Sequence, residues 1–209
     1  MTGLRIWRIA CSTNVERVAL ALAHKGLTAD WIDVPADDRA AVRQVSGQDL
    51  VPVLQTPTGH VITDSMAIVA WLDNDIPERP LWPSDPAGRA TTDRLVEWFN
   101  RVWKGPPNAI ADELAGSAPD AARIARWSAE MAGWLPRFEA LLSGRAFLLG
   151  DLVGAADICA FPFLKYAVLP VAADDEDPFH RVLADHLVLG AGFSRLTAWI
   201  ERMNALPRS

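Results

Sequence analysis

Three short stretches carry residue types that can do chemistry: Cys11-Ser12-Thr13-Asn14, Val51-Pro52 and Asp64-Ser65. A proline that opens a strand directly after a loop, as Pro52 does in Leu50-Val51-Pro52-Val53-Leu54, has two readings. In the trans form it starts an edge strand. In the cis form, which about one X–Pro bond in twenty adopts, the amide and carbonyl of Val51 face outward and can pair with an extended cysteinyl peptide. Asp64-Ser65 is either an ordinary helix cap or a receptor for an amino-acid head group. In the second reading the Ser65 hydroxyl, its amide and the positive end of the helix take a carboxylate, while Asp64 neutralises an adjacent ammonium. A γ-glutamyl group presents both of those charges on one carbon. Ser12, Thr13 and Asn14 are each able to cap a helix that follows them.

Elements that would position these residues follow from periodicity. Leu4 to Ile9 is a β-rich run, and Val15, Val18, Ala19, Leu22 and Ala23 recur at helical spacing up to Lys25-Gly26, a helix-ending pair. Trp31 to Val34 reads as a second strand, so the chain opens with a parallel βαβ unit. Residues 37–46 form a weaker helix or an irregular segment. Pro52–Gln55 and His60–Thr63 flank a turn at Thr56-Pro57-Thr58-Gly59 and form an antiparallel hairpin. A helix carrying Met66, Ile68, Val69 and Leu72 inward completes an α/β order of βαβαββα. Prolines at 77, 80, 83 and 86 bar a continuous helix, giving a domain over 1–78, a connector over 79–86 and an all-α domain over 87–209. In that second domain Leu95, Trp98, Phe99 and Val102 mark one helix, and Ile124 to Leu142 mark another. Pro106-Pro107 separates the two, and Leu196, Trp199, Ile200 and Met203 mark a final one.

Composition removes several function classes. Half of the 209 residues are apolar and 22% are charged, which supports buried cores. A net charge of −6 without a Lys/Arg block argues against nucleic-acid and anionic-membrane partners. Cys11, Cys159 and the four histidines lack metal or triad spacing, so neither a metal nor a catalytic histidine is expected. Few cysteines, no signal-like N-terminus and no membrane-length apolar run read as cytoplasmic.

The succession of Ser12 with its helix, Val51-Pro52-Val53-Leu54, Asp64-Ser65-Met66-Ala67-Ile68, connector and helices resembles the cytosolic glutathione transferases over nearly the whole chain. Cys11 to Val18 is most similar to their serine-type classes, such as zeta, theta and phi. The resemblance implies a thioredoxin-like N-terminal domain and a helical-bundle C-terminal domain. Glutathione is then the co-substrate, with no metal or nucleotide, and Asn14, Gln48, Val51, Pro52, Asp64 and Ser65 bind it. Ser12 donates to the thiol, with Thr13 as the alternative donor. A small hydrophobic electrophile would sit near Trp98, Asn100, Arg101 and Trp103, and the protein would be a homodimer. Two positions depart from the family pattern: Gly154 stands where the capping box before the buried helix has Ser or Thr, and Leu50 stands where many relatives carry Lys or Gln. Gln48 and Arg43 are the candidate substitutes for that lost contact. Glutathione-dependent isomerisation or dehalogenation would use the same thiolate. Disulfide exchange at Cys11 and a non-catalytic binding module are the rivals.

Overall fold

The computed structural model describes residues 3–209. They divide into two compact units, one comprising the chain up to Leu81 together with Leu206–Ser209, the other Trp82–Ala205. The first unit is a four-stranded sheet with helices, in the order β1 (Arg5–Arg8), α1 (Thr13–Lys25), β2 (Asp30–Asp33), α2 (Ala40–Ser46), β3 (Val53–Gln55), β4 (Val61–Thr63) and α3 (Ser65–Asp75). This is the βαβαββα thioredoxin-like arrangement. Strand order is β2-β1-β3-β4, with β1 and β2 parallel and the other two pairings antiparallel.

Side chains alternate across a strand, so each strand feeds two cores. Trp7 and Val53 lie opposite each other and pack with Val34 and Val42, where Val45 of α2 joins them. The intervening pair, Ile6 and Leu54, is fully buried on the other face. Helices α1 and α3 pack on one another. At its C-terminal end α1 is tied to α3 by a buried cation: Lys25 Nζ lies 2.6 Å from Asp73 Oδ1 and also donates to the carbonyls of Ile76, Glu78 and Arg79 at 2.7, 2.9 and 3.0 Å. Asp73 Oδ1 accepts the Leu81 amide as well, so one charge pair fixes the chain as it leaves α3. Removing one member of a buried pair leaves the other uncompensated. Lys25→Met is expected to cost about 3 kcal/mol, the low end for such changes because Asp73 keeps the Leu81 amide; the midpoint of denaturant unfolding reads it. The last residues return to α1, where Ser209 donates from its amide to Ala19 O and Arg208 pairs with Glu16.

The second unit is all-helical: α4 (Pro86–Trp98), α5 (Gly105–Leu114), α6 (Ala121–Leu141), α7 (Ala155–Leu164), α8 (Pro178–His186) and α9 (Ser194–Asn204). Every residue of α7 is buried. Its Phe161 and Phe163 join Phe99, Phe138, Trp103 and Trp199 in an aromatic core. The structure refines the sequence reading at four places here. Pro86 is the first residue of α4, where its fixed φ and missing N–H do no harm, so the connector ends one residue earlier. Pro106-Pro107 do lie between the two helices they were expected to separate, in the first turn of a further helix, α5. Helix α8, opened by Asp177-Pro178, has no counterpart in the sequence reading. Finally, residues 99–103 form a π turn that inserts an extra residue into the helical period. The inward position therefore passes from Val102, which is 43% exposed, to Trp103, which is fully enclosed and stacks on Phe99 at 4.4 Å.

Candidate functional site

The first unit gathers the three reactive stretches at one end of its sheet. In the β1–β3 pairing Trp7 faces Val53, and in the β3–β4 pairing Val53 faces Thr63. Val51 lies two residues before β3, Ile9 follows β1 and Ser65 follows β4, so with these antiparallel pairings the three segments leave the sheet at the same end. Direct contacts confirm the approach of the two helices: Arg17 Nη1 donates to Ser65 Oγ at 3.2 Å and to Asn14 Oδ1 at 3.2 Å, and Ser65 Oγ lies 3.4 Å from Asn14 Oδ1. The Val51–Pro52 bond is cis, the alternative on which the peptide-docking reading depended. Val51 packs its side chain on the Trp7–Val42 cluster and stays partly exposed.

Ser12 is the residue before α1 and holds the helix by its backbone, with its carbonyl accepting the Glu16 amide at 3.0 Å. Its hydroxyl makes no capping bond. Thr13, one residue on, is only 5% exposed, whereas Ser12 is half-buried and Cys11 is exposed. The unspent hydroxyl at the surface is thus that of Ser12.

At α3 Asp64 is a helix cap that commits only one of its two carboxylate oxygens. Its Oδ1 accepts the amides of Met66 and Ala67 at 2.9 and 3.0 Å, closing two of the helix's orphan donors. Its Oδ2 makes no hydrogen bond with the described residues and remains open to an ammonium. Asp64 has φ 70°, a left-handed backbone that a non-glycine residue adopts at a cost of about 1–3 kcal/mol. That outlier lies beside the proposed head-group site. Because Asp64 occupies two amides, a carboxylate at this helix start meets the Ser65 amide and hydroxyl, and Ser65 is itself buried.

Other candidates are placed differently. Gln48 donates to Ser46 Oγ at 3.1 Å and to the Leu50 carbonyl at 2.9 Å, and accepts the Leu50 amide, so its amide group braces its own loop. Arg43 pairs with Asp49 at 2.7 Å. Leu50 is 77% exposed. Within the helical unit Trp98 turns toward α6, edge-on to Trp134 at 5.5 Å. Arg101 pairs with Glu97, Asn100 is half-buried in the π turn, and Trp103 is core and has no surface to offer a ligand. Sequence reasoning passed over Arg17, whose signal is a cation on the stripe that also carries Thr13 and Leu20 inward.

Comparison with known proteins places this geometry. Residues 11–75 match the N-terminal domain of glutathione S-transferase and residues 111–207 match its C-terminal domain. The chain belongs to the cytosolic glutathione transferase superfamily. It is 29% identical over 192 residues to the maleylacetoacetate isomerase of Pseudomonas aeruginosa, an alignment covering 87% of this chain and 90% of that one. To mouse glutathione S-transferase omega-1 it is 25% identical over 167 residues, 78% of this chain and 66% of the mouse protein, just under two thirds of that relative's length. Among solved structures it is similar to the theta-class glutathione S-transferase of Xanthomonas axonopodis pv. citri with glutathione bound. That likeness has a TM-score of 0.66 at 26% identity and covers 93% of this chain and 97% of the other. Glutathione is the co-substrate of this family, and no cluster of potential metal ligands occurs among the described residues. Nor is any described helix long and apolar enough to cross a membrane.

Proposed function

We propose that this glutathione transferase is of the serine type and moves glutathione onto a small hydrophobic electrophile. The peptide lies along Val51, with its γ-glutamyl ammonium on Asp64 and its α-carboxylate on Ser65. Ser12 donates its hydroxyl hydrogen to the sulfur. Glutathione's thiol has to ionise before it attacks, and an unperturbed thiol is only a few per cent thiolate at neutral pH. A hydroxyl donor and the positive end of α1 both favour the anion. The sulfur then forms a bond to the electrophilic carbon, and the leaving group departs with its electron pair or, in an addition, the neighbouring carbon takes a proton. The free, partly exposed hydroxyl of Ser12 beside a buried Thr13 carries this reading. By family likeness the protein works as a homodimer in the cytoplasm.

A second reading has a specific observation behind it, the near end-to-end similarity to a maleylacetoacetate isomerase. There the same thiolate adds to an unsaturated metabolite and is expelled again, so glutathione is not consumed. Ultraviolet titration tests both: wild-type protein saturated with glutathione should show a thiolate band near neutral pH that S-methylglutathione does not give. Net consumption of glutathione with an aryl halide supports transfer, and turnover of an unsaturated diketo acid without consumption supports isomerisation. Glutathione binding without a thiolate band would make the protein a binding module and overturn both.

A further inference from the structure

Arg17 is the largest buried charge near the site that the proposed chemistry leaves unused, at 1% exposure. It contacts both Ser65 and Asn14, so it connects the first turns of α1 with the first residue of α3. A guanidinium has donors only, so toward Ser65 Oγ it can only donate, and the hydroxyl oxygen is the acceptor. The hydroxyl hydrogen must then point elsewhere. Its partner is Asn14 Oδ1 at 3.4 Å, a long and weak bond that a carboxylate can replace. Donation from a cation into the hydroxyl oxygen also polarises the O–H and makes it a stronger donor. The positive end of α3 by itself is a weakened anion site, because Asp64 already occupies the Met66 and Ala67 amides.

Resting on the glutathione-binding reading above, we propose that Arg17 is the positioning residue for the γ-glutamyl α-carboxylate. It fixes Ser65 Oγ as a donor and supplies the positive charge that α3 lacks once Asp64 has capped it. Arg17 does not touch the thiol, so its removal raises KM for glutathione and leaves kcat nearly unchanged.

The test compares two ligands, glutathione and γ-aminobutyryl-cysteinyl-glycine, the same peptide without the α-carboxylate. Arg17→Met should weaken glutathione about tenfold, the loss of one charge-assisted contact, and the analogue less than twofold, with kcat within threefold of wild type. A structural brace would instead weaken both ligands equally or lower kcat, and either result overturns the proposal, as does a folded Arg17→Met that binds glutathione normally. Should Arg17→Met not fold, Arg17→Lys decides. Its shorter cation should keep part of the preference for the carboxylate, with a loss of about threefold confined to glutathione, whereas equal losses for both ligands overturn the idea. Wild-type protein that binds neither peptide would instead refute the glutathione reading itself.

Discussion

Ser12→Ala is expected to lower kcat/KM for conjugation of glutathione to an aryl halide by about 100-fold, while glutathione affinity changes less than threefold. The size follows from the bond removed. A hydrogen bond to a charged group contributes roughly 1.5–3 kcal/mol, and a donor aimed at a developing or standing anion in a catalytic site about 2.7–4 kcal/mol. The upper part of the first range is a factor of about 100. Affinity is spared in the proposed arrangement because Val51, Asp64 and Ser65 would hold the peptide's backbone and head group and not its sulfur. Thiolate absorbance reads the same loss directly: the pH at which bound glutathione is half ionised should rise by about 2 in the variant. Thr13 cannot take over, since it is enclosed where Ser12 reaches the surface. Cys11→Ser separates this chemistry from disulfide exchange, because Cys11 is exposed one residue away and would carry a mixed disulfide in that alternative. Conjugation retained within twofold in Cys11→Ser supports Ser12. Activity retained in Ser12→Ala and lost in Cys11→Ser would overturn the assignment.

The segments of the candidate site were legible in the sequence because they are punctuation. A proline opening a strand, an Asp-Ser pair opening a helix and a polar tetrad between strand and helix are local signals with few meanings, and each lies at the end of an element set by periodicity. Arg17 was hidden for the opposite reason. On a helix whose buried residues are mostly apolar, a cation in the first turns reads as solvated until the neighbouring helix start arrives to receive it, and that approach is a tertiary fact. Gln48 shows the converse situation. Polar and close in sequence to β3, it looks like a ligand-binding residue, yet its amide bonds the Ser46 hydroxyl and the Leu50 backbone beside it. In the helical unit the misread positions are those where α-periodicity is interrupted. The π turn moved the buried role from Val102 to Trp103, and the Asp177-Pro178 helix start went unweighed although an acid before a proline is a strong opening signal.

Buried in the second unit, Asp157 makes the largest expected difference to stability, and one whose size depends on pH. Its Oδ1 accepts the Leu148 amide at 2.9 Å and the Trp199 indole N–H at 2.8 Å, and its Oδ2 accepts the Gly154 amide at 3.0 Å. The last is the half of a capping box that an acid at this position can make; Gly154 has no side chain to return the other half. One carboxyl thus joins α7, the loop before it and α9. Asp157→Ala would strand three buried donors, each worth about 1–3 kcal/mol, and should cost about 4 kcal/mol once the relief of a buried charge is set against them. Burial pushes the Asp157 carboxyl up from 3.8 to about 6, the three hydrogen bonds only partly opposing it. The folded chain therefore takes up this proton at a higher pH than the unfolded chain. The stability linked to it is fully present below about pH 4 and is lost as pH rises through about 6, a swing of about 3 kcal/mol. Asp157→Asn isolates that term, since it cannot ionise and keeps one oxygen for Leu148 and Trp199 while losing the Gly154 bond. The melting temperature of wild type minus that of Asp157→Asn should grow by about 3–5 °C between pH 7 and pH 5, as expected for roughly 1.4 kcal/mol in a chain of this size. A difference that stays flat, or narrows as the pH falls, would mean that the carboxyl titrates near its ordinary range and that solvent reaches the junction of α7 and α9.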